Sequence, residues 1–219
     1  MSLRSIPTKA GFMLARLAIA ALVASGCNSG NQEAMRLRES CEAGNATACN
    51  DFAIKLQKGE YVLQDPTRAA GLFDRACTGG VANSCARFAV MLQNGRGVKR
   101  DSVRALENFR KACDQGDMDG CARLGLLHMR GAGVTRDVAR SLSLFQQACD
   151  GGDMNACANL GSLYATGEGV AQDFARAASL LTKSCDAKVA LGCTGLGRLH
   201  VAGTGVSRND STAAALFKQ

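Results

Sequence analysis

The sequence predicts an all-α protein, a solenoid of about five 36-residue helix–turn–helix repeats, and three observations predict it. Ten of its 11 cysteines fall in C-x7-C pairs at 41 and 49, 77 and 85, 113 and 121, 149 and 157, and 185 and 193, so the pairs recur every 36 residues. Other columns keep the same register: Phe52, Phe88, Leu124, Leu160, Leu196; Gly59, Gly95, Gly131, Gly167, Gly203; Val62, Val98, Val134, Val170, Val206. Within a unit, Cys85, Phe88, Ala89 and Leu92 stand at i, i+3, i+4 and i+7, one apolar helical stripe. A sequence period of 20–50 residues marks stacked supersecondary units, each burying its apolar face against the next.

Composition agrees. The 219 residues are 47% hydrophobic and 21% charged, with 2 Pro and no Trp, which is globular. Aromatics make up only 5%, so the core must come from Leu, Ala, Val and Phe. A mean hydropathy of −0.03 excludes a polytopic membrane protein. The formal net charge is +7, but Arg4, Lys9 and Arg16 lie in a predicted leader that holds no acid, which leaves +4. That is too mild and too dispersed for a nucleic-acid surface. The cysteine density points to an oxidising compartment.

Residues 1–26 have the form of an export signal: basic residues, an apolar run from Leu17 to Val23, then Ala24-Ser25-Gly26. The run is too short to span a bilayer, which takes roughly 20 residues. Met13 is an alternative start that leaves Arg16 as the leader's charge. Ala24-Ser25-Gly26-Cys27 resembles the bacterial lipobox. That resemblance implies cleavage before Cys27, lipidation of its thiol and, with Asn28 rather than Asp next to it, the outer membrane. Residues 27–32 read as the lipidated Cys and a short polar tether. A lone cap helix follows at 33–40, with Leu37 in the column of Phe73, Phe109, Phe145, Leu181 and Phe217. The repeats then run 41–76, 77–112, 113–148, 149–184 and 185–219 and, with the cap helix, make one domain over 33–219.

Each repeat reads as two helices. A Gly-x-Gly-Val turn ends the first, as at Gly95-Arg96-Gly97-Val98, because glycine accepts positive φ at a helix end. The column Asp65, Asp101, Asp137, Asp173 and Asn209 caps the second through its side-chain oxygen, and Pro66 suits the first helical position. The first repeat departs most, with Tyr61 in place of the second turn glycine.

The stretch from Leu160 through Gly161, Leu163, Tyr164, Gly167, Gly169 and Val170 to Asp173 resembles the Sel-like repeat (SLR), a relative of the tetratricopeptide repeat. With C-x7-C it is similar to the bacterial cysteine-rich SLR proteins of Hcp type. The resemblance covers essentially all of 33–219 and implies a right-handed α/α solenoid with one disulfide per repeat. Residues eight apart on one straight helix lie about 12 Å apart along the axis, whereas a disulfide needs Cα atoms within roughly 6.8 Å. A turn must therefore intervene, and Gly44, Gly79-Gly80, Gly116 and Gly151-Gly152 supply it in four units, with Ala187-Lys188 in the fifth. The expected bridges are Cys41–Cys49, Cys77–Cys85, Cys113–Cys121, Cys149–Cys157 and Cys185–Cys193, each joining the end of one second helix to the next first helix. Closing each nine-residue loop is worth about 2.5 kcal/mol in the chain-entropy description. C-x7-C without paired histidines is not a zinc-finger spacing, and no metal or other cofactor is expected.

The resemblance also raises an enzymatic alternative, since some Hcp-type proteins are described as penicillin-binding proteins or β-lactamases. A serine β-lactamase needs Ser three residues before Lys, and a Lys-Thr-Gly strand. None of the lysines at 9, 55, 58, 99, 111, 183, 188 and 218 has Ser or Thr three places earlier, and Lys-Thr-Gly does not occur. His128 and His200, the only histidines, share the column of Leu56, Leu92 and Tyr164 two units apart, and read as packing residues. The favoured reading is a non-catalytic protein-interaction scaffold, monomeric and exported to the cell envelope. Its concave face, lined by first helices, is expected to receive a peptide or protein through Asn50, Asp51, Arg87, Arg123, Arg130, Asn159 and Arg198. Arg and Asn suit the carboxylates and backbone of an extended chain. No nucleic-acid partner is expected.

Overall fold

The computed structural model describes residues 29–219. Over them the chain forms eleven α-helices and no strand: α1 (29–42), α2 (Ala46–Lys58), α3 (Pro66–Thr78), α4 (Ala82–Asn94), α5 (Ser102–Asp114), α6 (Met118–Arg130), α7 (Val138–Asp150), α8 (Met154–Thr166), α9 (Phe174–Asp186), α10 (Ala190–Ala202) and α11 (Asp210–Leu216). Even-numbered helices are the first helices of the repeats and odd-numbered ones the second. The predicted solenoid of five helix–turn–helix units is the observed architecture.

Short-range chemistry sets the helix ends. The side chains of Asp65, Asp101, Asp137, Asp173 and Asn209 accept the backbone N–H three residues on, at 2.8–3.0 Å. Such a cap is worth about 1 kcal/mol. First helices close on Gly59, Gly95, Gly131, Gly167 and Gly203 with φ between 67° and 76°. Each second helix then folds back on its first helix and buries Phe73, Phe109, Phe145 or Leu181 to 1% exposure or less. Burying a side chain of this size contributes about 1.5–3 kcal/mol. The core runs unbroken from Phe52 to Leu199. Guanidinium groups of Arg68, Arg104 and Arg176, all at the same helical position, lie over the rings of Phe52, Phe88 and Tyr164, at 5.3, 5.5 and 4.4 Å. Neighbouring first helices also touch, α4 with α6 and α8 with α10. In the last unit Phe217 stays 49% exposed.

All five bridges are closed locally, with Cα–Cα distances of 4.4–4.7 Å. Each joins an odd-numbered helix to the even-numbered helix that follows it, across the turn between them. One bridge per repeat is therefore part of the fold.

The beginning of the described chain corrects the predicted boundaries. Helix α1 already includes 29–32, assigned to the tether, and runs on to 42, past the predicted end at 40. The cause is tertiary. Ser29 and Gly30 fall one period before Asp65 and Pro66, so these residues are the opening of a second helix rather than a spacer. A Cβ on Gly30 would stand 2.5 Å from the Tyr61 ring. In the later units the contact is reversed: turn glycines Gly97 and Gly133 lie against the backbone of Pro66 and Ser102, at the start of the preceding second helix. At the first junction the glycine has moved to the helix and the bulk to the turn. Tyr61 accordingly holds φ 61° and Lys188, which interrupts the other glycine column, φ 65°. Cys27 and the whole leader lie outside the described residues. Among the described residues no helix is long and apolar enough to cross a membrane.

Candidate functional site

The first-helix layer carries a groove of about 420 Å³. Its floor is Ala86 and Val90 of α4, and its walls are Asn83 and Arg87 of α4, Asp119 and Arg123 of α6, Gln57 of α2 and the capping residue Asp117. Helical periodicity produces this arrangement. Cys85, Phe88, Ala89 and Leu92 face α5 and the core, so Asn83, Ala86, Arg87 and Val90 turn towards the other side. The 36-residue repeat then sets Asp119 and Arg123 beside them on the next helix.

The groove is polar at its rim and apolar at its base. Arg123 Nε donates to Asp119 Oδ2 at 2.7 Å, an i,i+4 pair on an exposed helix surface. Such a pair contributes only a few tenths of a kcal/mol, so it opens cheaply to a competing carboxylate. The Arg87 guanidinium lies 6.0 Å from the Phe73 ring centroid, a contact that uses the face of the group rather than its N–H donors. Asp117 Oδ1 is engaged, accepting from the Gly120 N–H at 2.6 Å to cap α6.

Arg87 and Arg123, predicted from sequence, are thus brought into one groove. Asn50 is the exception on burial: it is 6% exposed, donates to Asp51 Oδ1 at 3.0 Å and accepts from Ser84 Oγ at 2.8 Å. Its amide is spent joining the first two repeats and is not offered to a partner. Half-buried Asp51 holds that amide. Arg130 is the exposed last residue of α6, Asn159 donates within α8 to the Asn155 carbonyl at 2.9 Å, and Arg198 is exposed on α10. None of these three lines the groove. The residues that sequence reasoning missed are Gln57, Asn83, Asp117 and Asp119. Asn83 and Asp119 share one column with Asn155, a polar series between core positions, and that was the available signal.

His128 is a packing residue, 8% exposed, and its Nδ1 has no hydrogen-bond partner. Burial pushes its pKa below the ordinary value of 6.5. His200 Nδ1 lies 3.0 Å from the Ser207 carbonyl. Among the described residues no group of three His, Cys, Asp or Glu is placed to hold a metal ion.

The Sel1 repeat matches this chain five times, at 48–81, 82–117, 119–153, 155–189 and 190–219. These windows open on the first helices and are offset by about seven residues or fewer from units cut at the cysteines. Among solved structures, c5321, a protective antigen of uropathogenic Escherichia coli displaying an SLR fold, superposes with TM-score 0.75 at 29% identity. The match covers 83% of this chain and 39% of that one, so this chain spans well under half of that relative's length. A Sel1 repeat protein from Oxalobacter formigenes superposes at 0.74 with 27% identity, over 80% of this chain and 72% of its own. Immunity protein Pa5087 from Pseudomonas aeruginosa shares the fold at 0.55 and 18% identity, over 89% of this chain and 81% of its own. No curated protein matches the chain. Five matched repeats over most of the described residues, with a disulfide across the start of each, show that this chain belongs to the Sel1 repeat family.

Proposed function

We propose that this chain is a non-catalytic interaction scaffold of the bacterial cell envelope that holds an extended segment of a partner protein on its first-helix face. The observation that carries the reading is the convergence of Arg87 and Arg123, with Asn83 and Gln57, around the apolar base of one groove. Guanidinium forks pair with carboxylates in bidentate fashion, and amide side chains satisfy the backbone of an extended chain. Solenoids present such faces because every repeat adds one helix to the same layer. Five disulfides suit an exported, oxidising compartment. The lipobox-like run before Cys27 supports a lipid anchor in the outer membrane.

The test has two stages. Crosslinking in the intact envelope identifies the captured protein, and titration calorimetry then measures its purified segment against the scaffold. Changing Arg87 and Arg123 together to Glu should abolish binding, with helicity and melting temperature nearly unchanged. Both guanidiniums make only surface interactions worth about 1 kcal/mol or less. Normal affinity in the double variant refutes the groove assignment. For the anchor, Cys27→Ser should release the protein from the membrane fraction, and unchanged fractionation refutes lipidation.

A further inference from the structure

We infer that the N-terminal end of the solenoid is a membrane-seating surface, in which Met35 and the 59–65 turn rest in the lipid headgroup layer. The inference rests on the lipidation of Cys27 proposed above. Three large apolar side chains are exposed at this end: Leu63 at 91%, Met35 at 62% and Tyr61 at 53%. Leu63 and Met35 border one groove of about 300 Å³ whose base includes Phe52, Leu56 and Val62. A leucine so fully exposed beside an open groove with an apolar base and a rim that includes Arg38, Asp65 and Arg68 is a surface awaiting an occupant.

Chain length says which occupant. Tyr61 packs against Gly30, which is three residues from Cys27. Three residues span at most about 11 Å, so an acylated Cys27 holds the Tyr61 turn within about that distance of the bilayer surface. The headgroup layer itself is about 5–7 Å deep on each side. Because 29–32 are helix rather than free tether, little slack remains to lift this end away. Tyr suits the interface, with an apolar ring and a polar tip, while Leu and Met supply area for shallow insertion. The surrounding charge is mixed, with Lys55 paired to Glu33 at 3.5 Å and Lys58 to Glu60 at 3.3 Å. Arg38 and Arg68 line the groove as well, so basic side chains stand beside the apolar contact and can meet lipid phosphates.

The chain contains no Trp, so single indoles are clean probes. Leu63→Trp and, as a distant control, Leu191→Trp (46% exposed in the wild type) are made in the full-length exported protein. Each is reconstituted into vesicles of phosphatidylethanolamine and phosphatidylglycerol, with or without brominated acyl chains. Mass analysis of the N-terminal peptide independently reports acylation. The expected result is an acylated peptide and a Leu63→Trp emission that shifts to the blue on vesicle binding and is quenched at least about twofold by bromolipid, with the Leu191→Trp emission unchanged in both respects. An acylated, vesicle-bound protein whose Leu63→Trp indole is not quenched overturns the seating surface and leaves the anchor standing. An unacylated N-terminal peptide overturns both. A blue shift that grows with protein concentration in the absence of vesicles assigns the surface to a second copy of the chain and also overturns the inference.

Discussion

The contact between successive repeats predicts that two glycines of similar conformation differ sharply in what they tolerate. Gly97 holds φ 74° and Gly116 φ 88°, both in the left-handed region that costs an L-residue roughly 1–2 kcal/mol. Around Gly116 nothing lies within 4 Å of an added Cβ. At Gly97 the same atom collides with the Pro66 carbonyl and lies 2.7 Å from Thr67 N. That backbone cannot retreat: Pro66 has a locked φ, and Asp65 caps the turn through the Arg68 N–H at 2.9 Å. Gly116→Ala should cost about 1 kcal/mol, after the smaller entropy of the unfolded alanine chain is credited. Gly97→Ala adds steric overpacking to the same strain and should cost about 3 kcal/mol. For a chain of this size those losses lower the melting temperature by about 3 °C and 9 °C. Thermal unfolding followed by far-ultraviolet circular dichroism, with the disulfides oxidised, measures both. Equal losses, or a Gly97→Ala variant as stable as the parent, refute the account of how the repeats stack.

Other outcomes follow from single environments. Ser141 Oγ is buried without a partner, in a column otherwise filled by Ala69, Ala105, Ala177 and Ala213, so Ser141→Ala should stabilise by about 1 kcal/mol in urea unfolding. His128 is buried with its pKa lowered first by desolvation; Arg140 and Arg110 add to the lowering and Asp137 opposes it. The unfolded chain therefore takes up a proton below about pH 6.5 that the fold resists, and stability is lost as pH falls from there through the folded pKa. His128→Leu should flatten that loss between pH 7 and 5 and leave pH 8 stability little changed, whereas parallel pH profiles refute the assignment. Removing the Cys113–Cys121 bridge by a double Cys→Ala change should cost about 2.5 kcal/mol from reopening a nine-residue loop. A loss below about 0.5 kcal/mol contradicts the chain-entropy account at this site.

The repeat, the helix ends and the disulfide pairing were legible in the sequence because the forces that set them act over short separations. An aspartate caps the amide three residues on, a glycine ends the helix it follows, and a cysteine reaches its partner eight residues away. Repetition in five units made those signals unmistakable, and it also put Arg87 and Arg123 in one column on adjacent helices. The tertiary structure decided what depends on a partner one period away. Asn50 was a fair candidate for binding until Ser84, 34 residues on, took its amide oxygen into a buried contact. Gly30 read as tether until Tyr61, in a turn 31 residues away, lay against it and the helix opened before residue 33. Asp117 and Asp119 joined the groove because α6 packs beside α4. Those environments are made by side chains that do not repeat, and their pairing is settled only when neighbouring units exclude water between them.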